Sequence, residues 1–200
     1  MMWQETALIV VVILAVFGWI LVVQARRLDR LHRKVSASRV ALDAQLRRRA
    51  SASLSLARSG LLDPASAVVI ADAAYGVIDG EGPATDPSRA LAMDGLGSRR
   101  EAGESALSSA LRSALGHPDA LMATTVGSEL VTDLGAQWYR ATLARRFHNE
   151  AVSQSVRARR HWYVRWFHLA GRAPMPLSVD LDDTLPRGLP TAQPTSPTTA

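Results

Sequence analysis

From Thr6 to Val23 the chain reads TALIVVVILAVFGWILVV, uncharged throughout, and then changes abruptly to spaced apolar positions among arginines. The uncharged run holds one strong helix breaker, Gly18. At about 1.5 Å per residue it extends roughly 27 Å, enough to cross the hydrocarbon core of a bilayer. Past it, Leu28, Leu31, Val35, Leu42, Leu46, Ser53 and Leu56 recur on one side at helical spacing. Neither proline nor glycine occurs from Trp19 to Ser59. The spacing therefore predicts one uninterrupted helix that leaves the apolar run, continues for about 50 Å and stops at Gly60.

The later pattern predicts three more helices. Asp63-Pro64 is an N-cap followed by proline at the first helical position, opening a shorter helix to about Ile78. Residues 79–97 carry Gly80, Gly82, Pro83, Pro87 and Gly95 and are expected to form a mobile acidic loop. Ser98-Arg-Arg-Glu101 has capping-box spacing, and Leu107, Leu111 and Leu115 follow at every fourth position until Gly116-His-Pro118. The longest soluble helix is expected from about Thr125 to Leu169. Beyond it, residues 171–200 turn Pro/Thr-rich, with Asp180-Leu-Asp-Asp183 the one acidic patch, and are expected to be disordered. No strand pattern competes. The fold class is all-α: an N-terminal transmembrane helix over 6–23, preceded by a short N-terminus (1–5), continues into an antiparallel helical bundle over 24–170 with two long and two shorter helices.

Charge adds a direction. A cleaved signal peptide needs a basic n-region and a small-x-small site, whereas MMWQE contains one acid and no base. The expectation is an uncleaved anchor. Arg26, Arg27, Arg30, Arg33 and Lys34 follow the run, so the positive-inside rule places the N-terminus outside the cell membrane and the bundle in the cytoplasm. Ten basic and two acidic residues lie in 24–60, four and nine in 61–120, and eight and one in 140–172. Two basic segments flank an acidic middle, which suits a bundle whose basic end faces anionic lipid. No nucleic-acid-reading motif accompanies this charge, so a nucleic-acid partner is not expected. The chain contains no cysteine, so no disulfide framework exists.

Projecting the last helix at about 100° per residue gathers Leu130, Val131, Leu134, Trp138, Ala141, Ala144, His148, Ala151, Val152 and Val156 into one arc. His148 lies near its middle and Asn149 at its edge, with Gln137 close to His148 in direction. Gln45 joins Leu42 and Leu46 on the first helix. As a metal ligand His148 needs a second ligand at helical spacing, yet Ala144 and Val152 occupy those places, and Glu150 points roughly 160° away. The expectation is a structural polar seam of Gln45, Gln137, His148 and Asn149, in which His148 or Asn149 approaches Gln45 and sets the helix register. No metal, cofactor or catalytic residue is assigned, because no P-loop, Gly-x-Ser-x-Gly or dinucleotide motif is present.

At the far end of that helix, Arg159, Arg160, Trp162, Arg165 and Trp166 interleave cations with aromatic rings. If the helix returns antiparallel to the first, these residues reach the membrane face, where with Arg26 and Arg27 they are expected to contact headgroups.

Three short runs resemble the LemA family: Val40-Ala-Leu-Asp-Ala-Gln-Leu-Arg-Arg-Arg49, Ala144-Arg-Arg-Phe-His-Asn-Glu-Ala-Val152 and Arg165-Trp-Phe-His-Leu-Ala-Gly171. In the family's pattern a tyrosine precedes the asparagine, where this chain has His148, and a Leu-Ile-Pro-like segment follows the arginines, where it has Ala50-Ser-Ala-Ser-Leu-Ser-Leu56. The resemblance implies an anchored antiparallel helical bundle without established enzymatic activity. The expected function is a scaffold or adaptor for an unidentified protein partner at the lipid bilayer. The alternative is an envelope-sensing module that binds anionic lipid through the basic aromatic end.

Overall fold

The computed structural model describes residues 2–79, 95–116, 118–167, 171 and 174–190. Among these, all regular structure is helical: α1 (Met2–Arg58), α2 (Pro64–Asp79), α3 (Ser98–Ala114), a short α4 (Asp119–Met122), α5 (Thr125–Arg159) and a short α6 (Trp162–Trp166).

α1 is one helix of 57 residues. Its Thr6–Val23 portion is long and apolar enough to cross a membrane, and its side chains lie outside the bundle. The remainder is the spine, stopped by Gly60, whose φ of 72° is a left-handed value that a side chain would resist. At the start of α2, Asp63 Oδ1 accepts from the Ser66 amide at 3.0 Å, which makes Asp63 the predicted cap.

α5 packs antiparallel along α1. Three contacts fix the register: Lys34 Nζ to Gln154 at 3.0 Å, Ser38 to His148 at 3.0 Å, and the Arg49 guanidinium over the Trp138 ring at 4.7 Å. Three apolar clusters follow this seam outward from the anchor. The nearest joins Val35 to Ala151 and Val152. The second joins Leu42 and Leu46 to Leu96 and Ala141. The largest, at the far end, brings Leu56, Ile70, Val77, Leu107, Leu111, Leu134 and Trp138 together from four helices.

At α5's start, the Thr124 hydroxyl accepts from the Gly127 amide at 3.0 Å. A Cβ on Gly127 would stand 2.1 Å from the Leu121 carbonyl oxygen, so only glycine lets α4 fold back this tightly.

Four expectations change. The box at Ser98 does not form: Gly97, with φ 84°, is the cap, Ser98 is already helical, and no side chain caps the helix. The loop expected over 79–97 lies mostly outside the described residues, but Leu96 at its end is buried against Leu42 and Leu46. α5 ends at Arg159 rather than continuing to Leu169, because His161 takes an extended conformation and a separate short helix, α6, begins after it. Finally, residues 174–190 are not a disordered tail but a strap. Val179, Leu181 and Leu189 bury their side chains, and Asn149 exchanges two hydrogen bonds with the Val179 backbone at 2.9 and 3.0 Å. Asp182 and Asp183 pair with Arg112 and Arg145. This strap escapes a sequence reading because its apolar residues are few, and its backbone is held by side chains of helices distant in sequence. Residues 191–200 lie outside the described residues.

Candidate functional site

The bundle holds three arrangements along α1 that could do chemistry or bind. The first is His148. Its imidazole is buried, and Nδ1 lies 3.0 Å from Ser38 Oγ. The Ser38 hydroxyl also lies 2.8 Å from the Val35 carbonyl of its own helix. The pair joins α1 to α5 at this level and helps fix their register. Burial, helped by the nearby Arg39 cation, pushes the His148 pKa down, and the Leu177 carbonyl opposes this in part.

That direction gives a pH dependence. His148 is held neutral in the fold but protonates freely once unfolded, near its ordinary 6.5. Stability is thus full above that value and falls as pH drops below it, levelling only beneath the depressed folded value. His32 is shifted down as well, mainly by burial and then by Arg159, and has the same sign. Denaturation of His148→Phe at pH 7.5 and pH 5 is expected to show a smaller acid loss than the parent, with some remaining from His32. Equal losses would remove His148 from this account.

The other seam residues separate. Gln45 does not meet His148 or Asn149: a helical turn and more lies between Ser38 and Gln45, and the histidine is level with Ser38. Asn149 faces the strap instead. Gln137 lies at the surface, bonded to Asp133 and Arg140 of its own helix. The predicted four-residue seam is therefore a His148–Ser38 pair, an Asn149 clamp and two separate glutamines.

The second arrangement went unpredicted. Glu104 is completely buried and holds two arginines, Arg49 through Oε2 at 2.7 Å and Arg100 through Oε1 at 3.1 Å. Asp43 pairs with Arg100 at 3.2 Å and with Arg47 at 2.9 Å, and Arg47 also donates to the Ile78 carbonyl. Opposite charges offset one another across α1 and α3, with the Trp138 face covering Arg49. Each carboxylate is already engaged by arginine, and among the described residues no group of three or more His, Asp or Glu residues could hold a metal ion.

The third is an open groove of about 260 Å³ between α1 and α5, lined by Ser38, Ala41, Gln45, Arg140, Leu143, Ala144 and Phe147. Phe147 is 63% exposed beside half-covered Leu143, and the Gln45 Oε1 atom is buried with no hydrogen-bond partner. Exposed apolar surface at a groove of this kind is a candidate binding feature.

At the membrane-proximal end, the predicted headgroup residues take distinct positions. Trp162 and Trp166 are exposed, and Phe167 meets Phe17 of α1 edge-on at 5.5 Å between ring centres. Arg26, Arg27, Arg160 and Arg165 are exposed, and Arg159 donates to the Pro174 carbonyl at 2.6 Å. Comparison with family models, with curated proteins and with solved structures finds no match for this chain.

Proposed function

We propose that this chain is a non-enzymatic, single-pass membrane protein of the LemA type whose helical bundle serves as a scaffold or adaptor for a protein partner. Thr6–Val23 is the span, and the five basic residues after it orient the bundle to the cytoplasmic side of the cell membrane. The family reading gains support from where its motifs lie. Val40–Arg49 and Ala144–Val152 occupy facing stretches of α1 and α5, and both contribute to the groove. The observation that carries the scaffold reading is that groove: an apolar strip, with Phe147 exposed and Leu143 half-covered, between two long helices. A partner helix bearing a row of apolar side chains matches it.

A photocrosslinking residue at position 147, used in intact cells, is expected to give one discrete protein adduct. The same residue at exposed Ser51 is expected to give none. Leu143→Asp in the same chain should abolish the adduct while leaving stability within about 0.5 kcal/mol, as is usual for surface changes. Similar adducts from both positions, or persistence in the Leu143→Asp chain, would sink the scaffold reading.

A second reading, a membrane-surface or envelope-sensing module that engages anionic lipid, is favoured by one observation: the Phe17–Phe167 contact holds the aromatic end of the chain against the anchor.

A further inference from the structure

The break after α5 exchanges which side chains face inward. On a continued α5, at about 100° per residue, Trp166 would share the direction of His148 and Trp162 would fall about 40° from it. Both rings would then enter the seam with α1. Val164, about 160° away, would face out. The structure has the reverse: Val164 is 3% exposed, whereas Trp162 is 69% and Trp166 76% exposed. The kink at Arg160–His161 thus turns two tryptophans away from a protein surface that a straight helix would have offered them.

Depth follows from the register. Arg49 is level with Trp138 and Lys34 with Gln154, so sixteen steps along α5 are matched by fifteen back along α1, close to one for one. Carried to the end of α5, this pairing sets Arg159 beside the high twenties of α1, and beyond the break Phe167 touches Phe17 directly, which places residues 162–166 between those two levels. Phe17 is six positions inside the end of the apolar run, or about 9 Å along the axis. The outward tryptophans are therefore level with the end of the span, and Phe167 lies beyond it. Arg160 and Arg165, at the same end, are exposed.

We propose that α6 is a second membrane-embedded element, an interfacial helix whose Trp162 and Trp166 lie in phospholipid at the boundary between headgroups and acyl chains. The inference rests on α1 crossing the bilayer. The occupant is the same bilayer, because a ring in contact with Phe17 shares the depth of Phe17. Tryptophan is favoured at that boundary, where its ring is apolar and its N–H meets water and headgroups, and flanking arginines reach phosphate. The bundle is thereby held at two points rather than one, which fixes its rotation about the α1 axis.

The test uses the full chain in phospholipid nanodiscs, with Trp3→Phe and Trp19→Phe to silence the anchor's own tryptophans. Trp138, buried in the bundle, remains as an internal reference. Lipids brominated near the top of the acyl chain are expected to quench part of the emission in both neutral and anionic bilayers. That loss should disappear when Trp162→Phe and Trp166→Phe are added, and shrink when the bromines move to the chain ends. Because the double replacement could disturb α6, a spin label at Trp162 or Trp166 supplies a second depth reading by accessibility to oxygen over a polar quencher. Resistance to alkaline extraction establishes separately that α1 is inserted. An inserted chain whose emission is equal in brominated and plain bilayers, with labels that favour the polar quencher, overturns the inference and leaves the anchor standing. A chain that alkali releases removes the anchor and the inference together.

Discussion

Glu104→Ala is expected to cost the fold about 3–5 kcal/mol, because it strands two buried arginines rather than removing one favourable contact. Arg49 and Arg100 are each at most 4% exposed, and Glu104 supplies a carboxylate oxygen to both. Arg100 retains Asp43 after the change, and Arg49 keeps the backbone carbonyl of residue 104 at 3.3 Å and the Trp138 face, but both lose the carboxylate that neutralised them. Water has no ready route to either. Urea denaturation of the detergent-solubilised full chain, followed by far-ultraviolet circular dichroism, measures the loss. A companion chain with Glu104→Leu, Arg49→Met and Arg100→Leu together should recover most of it, since well-packed apolar groups often replace a buried ion cluster at little cost. A Glu104→Ala loss below about 1 kcal/mol would show that the arginines find other partners.

Trp138→Ala should be comparably damaging, at about 3–5 kcal/mol, for a different reason. The ring is the largest fully buried side chain, and it performs three tasks at once. It fills the space where α1 and α5 meet the far cluster, it covers the Arg49 guanidinium, and its Nε1 donates to the Asp183 carbonyl at 3.0 Å. The last task predicts a local signature. Hydrogen exchange should accelerate in residues 179–183 of the strap more than in α2, which Trp138 does not hold by a hydrogen bond. Trp138→Phe keeps most of the packing but leaves the carbonyl unpaired, so about 1–3 kcal/mol is expected from that group. Uniform acceleration across the bundle would mean that the ring only packs. The effects of Glu104 and Trp138 should not add, since both act on Arg49.

The architecture was legible because α1 and α5 obey a simple period. Leu42, Leu46, Ser53 and Leu56 lie on one face, and all four are fully buried. The ion cluster was harder to see although its position was visible: Arg49 stands between Leu46 and Ser53 on the same three-and-four spacing, and Glu104 precedes Leu107 and Leu111 in the same way. A charge at a core position signals a buried partner, but the partner is 55 residues away and spacing cannot name it. The glutamines misled for the converse reason. Direction on a helical projection says which way a side chain leaves the axis, not which level of the neighbouring helix it meets. The end of α5 was missed because no glycine or proline marks Arg160–His161. The interruption follows from which surfaces its last turn must face, and a local pattern does not contain that.

The absence of any breaker between Trp19 and Ser59 has a mechanical consequence for the anchored protein proposed above. α1 transmits the inclination of its span as a lever about 50 Å long. Spans incline by roughly 20° on average and adjust with bilayer thickness, so a change of that size would carry the α1–α2 turn sideways by about 17 Å. The far cluster, with its buried arginines, would swing as a unit. A strut formed by Phe17 and Phe167 at the pivot would resist that swing, making the stance of the whole bundle a readout of the lipid around its base.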